Sequence, residues 1–82
     1  MPNDKMSRTI KLIWDFKGDD AQLTAEHHII HLEEFSIKEK LALNTVGVEN
    51  INDMHFIAFM NVIESEVFTV RDALIPHRAE IV

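Results

Sequence analysis

Three of the five histidines, His27, His28 and His31, fall within five consecutive positions. Histidine is the side chain best suited to change charge near neutral pH and to ligate metals. On a helix, His27, His31 and Glu34 stand at i, i+4 and i+7, within an arc of about 60°. Two imidazoles one turn apart can hold one metal ion, and Glu34 would add an oxygen. The pattern departs from a metalloprotease helix, because no glutamate follows the first histidine in H-E-x-x-H order. Lys38 shares the arc, and its ammonium opposes a bound cation. The structural reading of the same residues is a solvated face of Thr24, His27, His31, Glu34 and Lys38, with Glu34 and Lys38 an ordinary i,i+4 pair. A specific zinc site needs a third or fourth protein ligand. No tight metal site and no cofactor are expected.

A second group of residues suits ligand binding. His28 shares the apolar side of the same helix with Ala25, Leu32 and Phe35. His55 and Asn61 are polar positions on one face of an apolar strand, alongside Ile57, Phe59 and Ile63. Trp14 lies on the strong face of another strand. Trp14, His28, His55 and Asn61 are therefore the candidate ligand-binding residues, and His28 or His55 the candidate base of a cofactor-free enzyme. The structural reading makes His28 a boundary histidine and Trp14 a core aromatic.

Other chemistries lack their residues. Gly18 and Gly47 are the only glycines, so no glycine-rich phosphate loop exists. The chain has no cysteine and no tyrosine, and Ser7, Ser36 and Ser65 sit in no nucleophile elbow. Without cysteine there is no disulfide framework, which fits a reducing compartment, and a cytoplasmic location is expected. The net charge is −6, and the eight basic residues are scattered. Lys38 and Lys40 alone approach a cluster, and Glu33, Glu34 and Glu39 surround them. Nucleic acid and anionic membranes are not expected as partners. The longest apolar run, residues 56–60, is too short to cross a bilayer.

Eighty-two residues make one domain, residues 1–82, with residues 1–6 read as a flexible tail. Folding at this size buries only about 60–65% of the unfolded surface, so pairing with a second copy brings a large gain.

Residues 9–16 alternate, with Ile10, Leu12, Trp14 and Phe16 on one face: a strand. Asp19 as N-cap with Gln22 predicts a capping box, opening a helix over about residues 20–38. Its core side carries Ala21, Ala25, Leu32 and Phe35. Leu23, Ile30 and Ile37 recur every seven residues on the opposite side. Either a partner covers that stripe, or the helix ends near Ser36 and the stripe is accidental. Residues 42–50 read as a second strand, with Gly47 marking a bulge or a close backbone approach. Residues 50–53 form a turn. Residues 54–63 are a third strand, apolar on both faces and hence central. Ser65 is expected to cap a short helix carrying Val67, Val70 and Leu74, stopped by Pro76. Residues 79–82 form a fourth strand.

The order β-α-β-β-α-β resembles the ferredoxin-like α/β plait, and small dimeric α+β-barrel proteins built from two plaits. That resemblance implies an α+β fold: one antiparallel sheet with both helices on one face. It also implies a free sheet face that a second subunit or a small ligand covers. Ile57 and Phe59 are the interface residues on that reading. The functional expectation is a small homodimeric interaction or small-ligand-binding module. The alternatives are a metal-binding protein using His27, His31 and Glu34, or a cofactor-free enzyme.

Overall fold

The computed structural model describes residues 8–82, so the expected tail, residues 1–6, lies outside the described residues. Its elements are β1 (Thr9–Lys17), α1 (Ala21–Lys38), β2 (Thr45–Asn52), β3 (His55–Ile63), α2 (Val67–Leu74) and β4 (Arg78–Ile81). A single 3-10 turn, Glu64–Glu66, leads into α2. The fold is α+β: one open four-stranded sheet in the order β2-β3-β1-β4, antiparallel throughout, with two helices.

The period-2 pattern sets the two faces of the sheet. The register pairs Leu12 with Met60 and Trp14 with Ala58, so the even-numbered apolar residues of β1 and β3 share one side. There Leu12, Trp14, Ala58, Met60 and Val62 form one buried cluster with Ala25 and Leu32 of α1 and Val70 of α2. Alanines at positions 21 and 25 let α1 lie close to the sheet; both are buried. Trp14 spans the two layers: its indole Nε1 donates to the Leu74 carbonyl at 2.8 Å, satisfying an orphan acceptor at the end of α2. The expected central strand is confirmed, since β3 is flanked on both sides and Ile57 and Ala58 are buried on opposite faces.

α1 does not stop at Ser36. It runs to Lys38 and closes in a Schellman geometry, with Leu41 N donating to Ser36 O and Lys40 N to Ile37 O. Lys40 takes the left-handed position, at φ 54°, that glycine usually fills. Ser36 is buried and its hydroxyl donates to the Leu43 carbonyl. The stripe of Leu23, Ile30 and Ile37 is therefore a real face of a continuous helix, and all three are exposed.

Three local expectations need correcting, and one alternative is decided. No capping box forms: Asp20 occupies the N-cap without a side-chain bond, and Gln22 bonds to Glu26. Ser65 lies inside the 3-10 turn and caps nothing. β2 runs over Thr45–Asn52, later than expected, and the hairpin turn is closed by Asn52 Oδ1 accepting from Met54 N. The register shift lies at Asn50/Asn52, while Gly47 marks a close approach. A Cβ there would lie 2.8 Å from the Phe59 ring.

Candidate functional site

β1 presents Lys11, Ile13 and Asp15 on the sheet face away from the core cluster, and β3 adds His55, Ile57, Phe59 and Asn61. β4 is registered so that Arg78 lies opposite Ile13, which brings its guanidinium beside Asp15. These strand placements build a three-residue polar centre from residues far apart in the chain. Arg78 grips Asp15 in a two-pronged ion pair, Nε to Oδ2 at 2.9 Å and a terminal nitrogen to Oδ1 at 3.1 Å. His55 Nε2 meets Asp15 Oδ1 at 2.7 Å. The backbone N–H of Asp15 donates to His77 Nδ1 at 2.8 Å, and His77 N donates to Ile13 O.

The electrostatics follow from that geometry. The Arg78 guanidinium holds the Asp15 carboxyl well below the usual carboxylate range, helped by His55 and opposed by partial burial. Asp15 in turn raises Arg78. An ionised Asp15 accepts from His55 Nε2–H, and in the neutral imidazole the lone pair is then on Nδ1. Nδ1 has no hydrogen-bond partner among the described residues. Chemically this is an imidazole held by a carboxylate, the arrangement that orients a general base. Its carboxylate is already neutralised by Arg78, which makes the same trio a clasp holding β4 onto β1.

Beside this centre the open face roofs itself. The Phe59 ring lies over Gly47, its cross-strand partner. Lys11 sits 4.7 Å from the ring centroid and reaches Glu49 at 3.2 Å. Ile57 beneath is 2% exposed in the single chain. Asn61 Oδ1 is buried and has no partner among the described residues.

His28 lies on the other side of the sheet. Its ring is 5.0 Å from Trp14 and 5.5 Å from Phe16, and its buried Nε2 has no partner among the described residues. Desolvation lowers its pKa from the ordinary 6.5, with smaller contributions from the charges of His31, His77 and His27. Of the four candidate ligand-binding residues, the fold thus joins Trp14 with His28 on the core side. It places His55 and Asn61 on the open face.

His27 and His31 stand on the exposed face of α1 with ring centroids 5.0 Å apart, and His31 Nδ1 lies 3.7 Å from Glu34. Among the described residues no three ligating side chains converge on one point. A shallow, open depression lies at the start of α1, lined by Asp20, Leu23, Thr24 and His27.

Sequence reading passed over Asp15, Arg78 and His77. Asp15 did leave a trace, as an acidic position between Ile13 and Lys17 on a strand. Its partners lie some sixty residues away and are brought in only by the β1–β4 register. No helix among the described residues is long and apolar enough to cross a membrane. No protein-family model, curated protein or solved structure matches the chain.

Proposed function

We propose that the chain is a ferredoxin-like plait that works as a cytoplasmic homodimer, an interaction module rather than an enzyme, with no cofactor. The element order and the strand order β2-β3-β1-β4 support the plait, with both helices on the core-cluster side of the sheet. One observation carries the functional reading. Leu23, Ile30 and Ile37 are 68%, 50% and 68% exposed along one helix, an apolar stripe of a kind that marks contact surfaces. Ile57 and Phe59 were the interface residues expected from sequence. Ile57 has little surface left to cover, and Phe59 is held under Lys11, so α1 is the better-supported face. A small ligand would meet either Trp14 with His28 or His55 with Asn61, since the sheet separates the pairs.

Sedimentation velocity at micromolar concentration tests the reading, and twice the 9.5 kDa chain mass is the expected result. A monomer throughout that range overturns it.

A second reading rests on the 2.7 Å contact between Asp15 and His55, which suits a general base. His55→Gln separates the two when partner binding and turnover are measured beside the sedimentation mass. For an interaction module built on α1 the variant keeps the dimer mass and partner binding; for an enzyme it keeps the mass and loses turnover.

A further inference from the structure

We infer that α1 pairs antiparallel with α1 of a second copy of this chain, about a two-fold axis passing beside Ile30. The inference rests on the homodimer reading above and adds the surface, the orientation and the contacts.

At about 100° per residue, Leu23, Ile30 and Ile37 lie within an arc of roughly 40°, opposite the buried side chains of Ala21, Ala25 and Leu32. His27, Glu34 and Lys38 flank the stripe on one side, with Asp20 at its start. Gln22, Glu26 and Glu33 flank it on the other. In an antiparallel pair related by a two-fold axis, each flank meets its own copy. The rise of about 1.5 Å per residue then sets the partners. His27 lies about 4.5 Å before Ile30 and Glu34 about 6 Å after it, so His27 of one copy comes level with Glu34 of the other. Asp20 and Lys38, about 15 Å before and 12 Å after, come level in the same way. The symmetry repeats each pair, so this flank carries four contacts of complementary type.

The apolar contacts agree with that alignment. Ile37 of the second copy arrives level with Leu23, so the ends of the two stripes cover each other. A parallel pair is disfavoured by charge. It would join unlike flanks, setting Glu34 beside Glu33 and drawing Lys38 away from Asp20. The antiparallel pair brings Glu26 to Glu33 on its second flank.

The chain contains no cysteine, so single introduced cysteines report contacts cleanly. All three stripe positions are exposed, and substitution there leaves the core untouched. Under mild oxidation Ile30→Cys should form a disulfide-linked dimer. Leu23→Cys alone and Ile37→Cys alone should not, whereas an equimolar mixture of the two should. Self-linking by Leu23→Cys overturns the antiparallel orientation. The absence of linking in both the Ile30→Cys sample and the mixture overturns the surface. In sedimentation, Ile30→Asp should weaken dimerisation by about tenfold or more, because a carboxylate would be buried without a partner. A wild-type dimer that Ile30→Asp leaves intact places the contact elsewhere and sinks this inference while sparing the homodimer. A wild-type monomer removes both.

Discussion

His28 shows how one residue can make a small protein sensitive to acid. Its ring packs against Trp14 and Phe16 with Nε2 buried and unbonded among the described residues, so the charged form is poorly tolerated in the folded state. Its folded pKa is lowered from 6.5, whereas the unfolded chain protonates normally. The unfolded state therefore takes up more protons as pH falls through and below 6.5, and stability drops in that window. His28→Leu removes both the titration and the unbonded nitrogen. Thermal melts should show the variant gaining more over wild type at pH 5 than at pH 8. An equal gain at both values would mean that protonation of His28 plays no part. Asp15 has a linkage of the same sign in a lower window. Its depressed pKa adds stability at neutral pH, lost only on acidification below about pH 4, so the two residues titrate in separate windows.

At the scale of the elements, the pairing of Gly47 with Phe59 decides how the edge strand β2 is held. The glycine supplies no side chain, and the aromatic ring of the central strand lies across it, a recognised way of covering a bare position in a sheet. Lys11 and Glu49 close over the ring. Gly47→Ala puts a methyl group 2.8 Å from ring carbons, so the ring must lift and its contact with Lys11 loosens. The expected cost is about 1 kcal/mol, at the low end for overpacking because a side chain rather than backbone must move. Chemical denaturation of the variant measures it, and an unchanged or raised midpoint would show that the ring is not seated there. α2 ends under a different constraint. Ile75 sits in the left-handed region at φ 48°, immediately before Pro76, and its side chain is exposed. The proline stop was legible because ring sterics act locally. The conformation that Ile75 adopts to accommodate it was not.

For the whole molecule, charge and shape set what it can meet. A net charge of −6, with basic side chains scattered along the sequence, argues against a phosphate backbone as a partner. Several of those basic groups are also engaged at home: Lys11 by Glu49, Arg78 by Asp15 and Glu80, Arg71 by Asp72. Mobility-shift assays with generic DNA and RNA at low salt should show no complex at micromolar protein. Retarded bands that vanish with added salt would reveal a basic surface that the charge count conceals.

The sequence by itself determined the element types and their order, because hydrophobic period, turn residues and proline sterics act within a few positions. It also located the core side of α1 and the two-faced apolar character of β3, and exposed the stripe of Leu23, Ile30 and Ile37 as something without a place in a lone helix. Local capping was read less well. The carboxylate of Asp19 and the hydroxyl of Ser65 had candidate roles that the folded backbone left unused. Tertiary structure alone decided which polar residues meet. Trp14 and His28 come together because a helix packs over a strand, and Asp15, His55 and Arg78 because three strands align in register. Register is a long-range property, and a shift of one residue would turn Asp15 and Arg78 to opposite faces of the sheet. No spacing within the chain encodes that meeting; it follows from burying the even-numbered side chains of β1 and β3 under the helices.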